Sequence, residues 1–480
     1  MFVKRFLSSE AMLPKGMKHG ELPKASSMYK KYLQIGIPSV LEMVLISLIN
    51  MMDTVMVSTI GTDAVAAVGL VGQPRMLILC FFFALNTGIT AVVARRKGEN
   101  RKEDANIVMR NCMLLIIAMS AVLMALFLPF SRQLMLFAGA EEGRTLEDAT
   151  SYFLIINSVL PLNALSMGIC AAQRGIGKTK LTMYVNILSN LVNILFNYLL
   201  INGIGPFPKL GVVGAAIATA IGLVFGFVLA LISVMRGNKE DQFLHISVHD
   251  DWKINKQAVK DVTKVASSAM VEQVVLRIGF FTYAKVVAGL GTDAFAAHQI
   301  DMQFLNLSFS FADGFGIAGT SLVGQNLGAK RKDIAHIYGK LAQRSAFVIS
   351  LMLGTFCILC RGMLVSMFIS EAASPGVREM AESVMIIVGI FQPFQMLSVV
   401  ASGALRGAGD VKYAARVMTL TVMLMRPILA ILAVYIFGTR MGRIDLALIG
   451  AWLASLADMV LRMILFMRRY ASGNWHEIRV

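Results

Sequence analysis

Twelve apolar runs, most of them longer than the ~18 residues that cross a hydrocarbon core, decide what this chain can fold into. They lie near residues 33–60, 66–94, 107–128, 152–172, 181–203, 212–235, 265–288, 294–324, 341–360, 380–404, 414–437 and 446–467. A bilayer offers no water to backbone N–H and C=O groups, so each run is expected to be a helix. An outer-membrane barrel would need alternating segments of about ten residues, and the sequence has none. Composition agrees. Only 15% of the residues are charged, against about 25% in soluble domains.

The charge is not spread evenly. Of 45 Lys+Arg, 31 fall in the N-terminus, the C-terminus and every second loop, seven in the alternate loops, and seven inside the spans. This is the positive-inside pattern. It predicts a multi-pass protein of the inner or plasma membrane with both termini cytoplasmic. The net charge of +16 is then matched to a lipid bilayer, with no nucleic acid partner expected and no obligate protein partner evident. Five cysteines, Cys80, Cys112, Cys170, Cys357 and Cys360, all lie in apolar segments, so no disulfide framework is read. The Cys357/Cys360 pair has no second pair and reads as helix packing. The first 30 residues are polar and basic, without the apolar core of a signal peptide.

The chain repeats itself. GTDAVAAVGL at 61–70 recurs as GTDAFAAHQI at 291–300, an offset of 230, with Gly98, Arg101 and Lys102 meeting Gly328, Arg331 and Lys332. Glu42 meets Glu272 at the same offset. Near 232, Pro161, Arg174, Gly175 and Gly177 meet Pro393, Arg406, Gly407 and Gly409. The fold class read from this is an all-α polytopic membrane protein of twelve transmembrane helices in two pseudo-symmetric six-helix lobes. Six is even, so the repeats are parallel, with a pseudo-axis along the membrane normal. The expected divisions are a cytoplasmic N-terminal segment 1–31, a first lobe 32–236, a cytoplasmic linker 237–264, a second lobe 265–470 and a tail 471–480. The linker is long enough for a short surface helix, and His245 and His249 in it read as solvated. Pro38, Pro161, Pro393 and Pro427 are candidate kinks.

Ionisable groups inside a span cost about 2.5–3.5 kcal/mol on insertion scales, so each is a functional candidate by default. The first span carries Glu42 and Asp53, eleven residues apart. Three turns place them on one face, about 16 Å apart. Asp53 could merely mark the water boundary, but apolar residues continue beyond it to Val57. The fifth span carries Asn186, Asn190, Asn193 and Asn197 at steps of four, three and four, one stripe of amides. Such a stripe serves interhelical hydrogen bonding or a polar path. Both readings stand for Asn186; function is favoured for Asn193 and Asn197. Carboxylate and amide oxygens are hard ligands that suit Na⁺ as well as a protonation site. The seventh span carries Glu272, Gln273, Arg277 and Lys285, and the position matching Asp53 is Tyr283. The halves share one carboxylate and differ in the other, which would let them take different tasks.

Thirty-two Met and 28 Phe are compatible with an adaptable apolar cavity, although each one singly reads as packing. The GVVGAAIAT run at 211–219 has small-residue spacing for close helix contact. No GxxxxGK[ST] phosphate loop, HExxH or paired CxxC is present, so neither ATP-driven transport nor a zinc enzyme is read. His298 is the one intramembrane histidine candidate for catalysis, and the chain is read as a non-enzyme without a cofactor.

These residues resemble the multidrug and toxic compound extrusion (MATE) transporters. The resemblance runs from about Tyr32 to Arg469. It rests jointly on IPSVLEMVLISLINMMDTVMVSTIGTDAVAAVGL, LVNILFNYLLINGIGPFPKLGVVGAAIAT, VEQVVLRIGFF, AGLGTDAFAAHQI, LVGQNLGAKRKDIA and GALRGAGD. It implies two six-helix lobes in a V around a central cavity and export of cationic or amphipathic drugs against Na⁺ or H⁺. It also implies a cation-coupling set at Asp53, Asn193, Asn197 and Thr219, joined by Glu42 from the reading above, with Na⁺ at Asp53, Asn193 and Asn197. A substrate or second-lobe polar set comprises Glu272, Gln395, Asn190, Asn163 and Tyr283. The family's tenth-helix Asp is Gln395 here, and Asn197 replaces a carboxylate. The rival reading is a lipid-linked oligosaccharide flippase of the same superfamily, whose cavity would need many more cations.

Overall fold

The computed structural model describes residues 10–14, 20–236, 242–368 and 375–478. Twelve long helices account for most of them. In order they are α1 (Ala25–Ser58), α2 (Thr62–Gly98), α3 (Lys102–Phe127), a two-part α4 (Arg144–Ser158 and Leu160–Gly175), α5 (Thr179–Asn202) and α6 (Gly211–Met235). The second six are α7 (Lys256–Ala288), α8 (Thr292–Gly328), α9 (Lys332–Leu359), α10 (Pro375–Ala408), α11 (Val411–Arg440) and α12 (Ile444–Ser472). Ten are long and apolar enough to cross a membrane, and the bent α4 makes eleven. The twelfth is α8. It is as long as α2, but Asp301 and Asp313 dilute its hydropathy.

The chain forms two compact units, residues 41–270 and residues 1–40 with 271–480. Each unit repeats the other's internal bonds. In the first, the Thr90 hydroxyl donates to the Ala171 carbonyl at 3.0 Å. In the second, Thr320 donates to Gly403 at 2.7 Å. Gly175 brings its helix so near α2 that a Cβ would lie 2.9 Å from the Thr90 carbonyl oxygen, and Gly407 does the same to Thr320. The two non-glycine residues with left-handed backbones among the described residues, Asn100 (φ 56°) and Lys330 (φ 59°), are also repeat mates. That conformation is costly outside glycine, so its recurrence marks one tight α2–α3 and α8–α9 turn used twice.

Proline acts unequally. α1 and α10 run on through Pro38 and Pro393. α4 breaks at Val159 with a bend of 52°, and Pro161 opens its second part, where a missing N–H costs nothing. α11 is interrupted by π-helical turns over Thr419–Met425 and Val434–Arg440, with Pro427 just after the first.

The stretch between the halves differs from the sequence expectation. α7 begins at Lys256, and residues 242–255 contain turns rather than a surface helix. Asn106 takes the His245 backbone N–H (2.8 Å) and donates to the Phe243 carbonyl (3.2 Å). Asn111 takes the Asn255 N–H at 2.7 Å, and Arg110 pairs with Asp250 at 3.0 Å. These α3 side chains supply the partners that helix bonding would have supplied, so an extended path is stable. His245 is thereby buried rather than solvated, whereas His249 is exposed. The tail folds back too. Trp475 is fully buried, stacked on Tyr470 at 4.9 Å, and its indole N–H donates to the Tyr470 carbonyl.

Candidate functional site

The first unit holds a cavity of about 250 Å³. Its lining comes from five helices: Asn50, Asp53 and Thr54 of α1, Arg75 of α2, Tyr152 of α4, Ser189, Asn190, Asn193 and Asn197 of α5, and Thr219 of α6. The α5 spacing does what the stripe implies, because residues four apart on a helix share a face. Asn197 Nδ2 donates to Asp53 Oδ1 at 2.9 Å. Asn193 lies against Thr219, 3.2 Å from its hydroxyl. With the Asn193 amide turned, its nitrogen donates to both Asp53 oxygens at 3.0 and 3.1 Å, and its oxygen accepts from Thr219. That orientation satisfies both partners. An ionised Asp53 is then held by two amide N–H groups and no cation.

Glycine brings α5 and α6 close enough for this. A Cβ on Gly222 would lie 2.9 Å from both Asn193 Cβ and the Ser189 carbonyl oxygen, and one on Gly214 would lie 2.7 Å from the Leu200 carbonyl oxygen. The Ser189 hydroxyl donates to the Gly222 carbonyl at 2.6 Å. The small-residue run at 211–219 packs as its spacing implies.

Not all of the predicted residues meet here. Glu42 lines no part of the cavity. It accepts from Arg174 (3.0 Å), Thr182 (2.8 Å) and Asn186 (2.7 Å), a closed and buried ion pair. Eleven residues of helix carry Glu42 too far from Asp53 to share its partners. Asn190 belongs to the Asp53 cavity, whereas Asn163 is absent from its lining. In the second unit Glu272 pairs with Arg406 at 3.4 Å, the repeat counterpart of Glu42 with Arg174. Gln395 is fully buried, with neither side-chain polar atom bonded among the described residues. Tyr283 sits in the second unit's core, its ring 5.6 Å from His298 and 5.7 Å from the Arg426 guanidinium.

The sequence reading missed Arg75, Tyr152, Asn50 and Ser189 as lining residues. Arg75 carried a usable signal, a cation inside an apolar run. Also missed were Arg174, and the buried Asp458 that holds Arg426 (2.8 Å) and Arg462 (2.6 Å) in the second unit.

A Na⁺ ion would suit the donor set. Asp53 and Thr219 offer oxygens, Asn197 Oδ1 is buried with no bonded partner among the described residues, and the Asn193 oxygen joins them once its amide turns away from Thr219. One carboxylate among neutral oxygens matches a monovalent charge. Among the described residues no cluster of three His, Cys, Asp or Glu is present.

The family model MatE matches the chain twice, over residues 38–199 and 268–432. The chain belongs to the MATE family of transporters. A probable multidrug resistance protein NorM of Thermotoga maritima is 28% identical over 452 residues, covering 93% of each chain. The multidrug resistance protein MdtK of Photorhabdus laumondii is 26% identical over 385 residues, covering 80% of this chain and 82% of its own. An outward-facing MATE transporter of the MOP superfamily superposes with a TM-score of 0.84 at 22% identity, over 93% of this chain and 96% of its own. The repeat, the twelve helices and the family agree: this is a MATE transporter of two six-helix lobes.

Proposed function

We propose that this MATE transporter is a secondary active antiporter of the cell membrane. It exports amphipathic organic compounds, cationic ones among them, in exchange for inward H⁺ or Na⁺ bound at Asp53. Both termini lie in the cytoplasm on this reading, which the distribution of Lys and Arg supports. One observation carries the reading: a single intramembrane carboxylate lines a polar cavity and is held by neutral amides rather than by a cation. The names of the NorM and MdtK relatives point the same way.

The chemistry is competition for one carboxylate. An ionised Asp53 accepts hydrogen bonds from Asn193 and Asn197, and it attracts a cationic group entering the cavity. A proton or Na⁺ at the same oxygens removes that attraction. Asn193, held in turn by Thr219, orients the carboxylate, while Gly222 keeps their helices in contact. Two conformations that differ in affinity for the coupling ion and for the drug suffice for exchange. Glu42, neutralised by Arg174, is a structural ion pair on this reading.

The test is efflux of a fluorescent organic cation from proteoliposomes under an imposed Na⁺ gradient and then under a pH gradient. Gradient-driven movement by the parent protein names the ion. Asp53→Asn keeps shape and loses charge, so it is expected to abolish coupled movement while the protein still inserts and elutes as a single species. Undiminished coupled transport by D53N would sink the assignment.

A further inference from the structure

The cavity holds a second charge that the exchange of cations does not use. Arg75 lies in α2, just after Pro74, and lines the cavity together with Asp53. No carboxylate pairs with its guanidinium among the described residues; the titratable side chain facing it is the Tyr152 phenol. α1 and α2 are joined by a three-residue turn, which keeps their adjoining ends close. Asp53 stands five residues from one of those ends and Arg75 thirteen from the other. At 1.5 Å per residue that is about 8 Å and about 20 Å of helix. Measured along the helices, Arg75 therefore lies about 12 Å further from the joining turn than Asp53, inside the apolar run 66–94.

An arginine inside such a run is costly unless it has an anion or water to face. Four other arginines of this protein have carboxylates as partners. Arg174 has Glu42, Arg406 has Glu272, and Arg426 and Arg462 share Asp458. Among the described residues Arg75 has no such carboxylate and faces the cavity and Tyr152. Its fork of donors matches a carboxylate bidentately. Asn190 and Ser189 line the same cavity.

Resting on the antiporter reading, we propose that Arg75 is an anion-binding subsite of the transport cavity. It takes the carboxylate of a substrate whose cationic group lies toward Asp53. The charge arithmetic changes accordingly. With Arg75 in place the cavity alternates between neutral and +1 as Asp53 gains a cation, instead of between −1 and neutral. A plain monocation meets a net-neutral cavity at best. A compound with one cationic and one anionic group satisfies both poles.

The matched probes are rhodamine B, which carries a carboxylate beside its cationic xanthene, and its ethyl ester, which lacks the anion. Binding to the purified full-length protein in detergent is read by fluorescence anisotropy. Arg75→Gln is expected to weaken rhodamine B binding by about tenfold or more relative to its effect on the ester, with Arg75→Lys between. Benzoate should displace rhodamine B from the parent protein. This arm needs no variant to fold. Equal effects of R75Q on the two dyes, or indifference of the parent protein to benzoate, would overturn the subsite. Binding needs no gradient, so the two readings fail separately. Charge-selective binding without gradient-driven transport would remove the antiporter and keep the subsite. Coupled transport of both dyes with an unselective R75Q would do the reverse.

Discussion

Two carboxylates on one helix show how partners decide the role of a buried charge. Glu42 and Asp53 share a face of α1, and by sequence both belong to one coupling set. The structure gives Glu42 a guanidinium, a hydroxyl and an amide, while Asp53 has amides alone. Removing one member of a buried ion pair strands the other, at a cost of about 3–5 kcal/mol. Arg174→Ala should therefore lower the melting temperature sharply, and Glu42→Gln in the same chain should restore much of the loss. Additive losses in the double variant would show that the pair does not interact. The register of the repeat held a clue to this pair, because Arg174 and Arg406 stand opposite Glu42 and Glu272 at nearly equal offsets. Hydropathy hid it, since Arg174 falls in what reads as a loop. His476 makes a second prediction at this scale. Burial against the C-terminal turn, helped by the charge of Lys332, pushes its imidazole down to about 4. A histidine whose folded pKa is depressed favours folding when neutral. Packing of the 474–477 turn is thus full above about pH 6.5 and weakens as pH falls toward 4. Amide exchange at Trp475 and His476 should speed up across that window. A flat profile would mean that the turn does not sense the imidazole.

Between elements, contact rather than hydropathy positions the site. The apolar runs located all twelve helices, because a lipid-facing backbone has no other way to bond. They placed the ends poorly. α7 starts nine residues before its apolar run, at Lys256, since a helix continues into water where hydropathy no longer marks it. The path of residues 242–255 was illegible for a related reason: its hydrogen bonds go to Asn106 and Asn111 on a distant helix. The α5–α6 contact was half legible. Small residues announced it, but which asparagine would meet Thr219 depended on the crossing. Gly222 fixes that crossing, with Asn193 Cβ and the Ser189 carbonyl both 2.9 Å from where a side chain would begin. Gly222→Val is expected to push the helices apart, lowering the melting temperature and weakening ion coupling together. Gly69 in α2 has open space around it, so Gly69→Ala should be neutral or stabilising there. If both variants melt like the parent protein, close packing at Gly222 does not hold the site.

At the scale of the molecule, duplication supplied a frame and divergence supplied the asymmetry. The frame is visible in both units as the Thr90 and Thr320 bonds, the Asn100 and Lys330 turns, and the ion pairs Glu42–Arg174 and Glu272–Arg406. Features shared by both units are those the fold needs twice. The features on which the proposed exchange rests are those that differ. Asp53 faces a cavity, while its counterpart Tyr283 fills an apolar core with His298 and Trp452. Ion coupling should accordingly reside in the first unit. Replacing Glu272 and Arg406 together, as Glu272→Gln with Arg406→Gln, removes a charge pair without stranding either partner. The double variant is expected to lose some thermal stability and to keep both the identity of its coupling ion and the pH dependence of transport. Asp53→Asn should show the opposite pattern, near-parental melting with coupling gone. Parallel proteoliposome assays under Na⁺ and pH gradients separate the two. Loss of coupling in the double variant with coupling retained in D53N would move the ion site to the second unit, and the repeated ion pair would then be more than a strut.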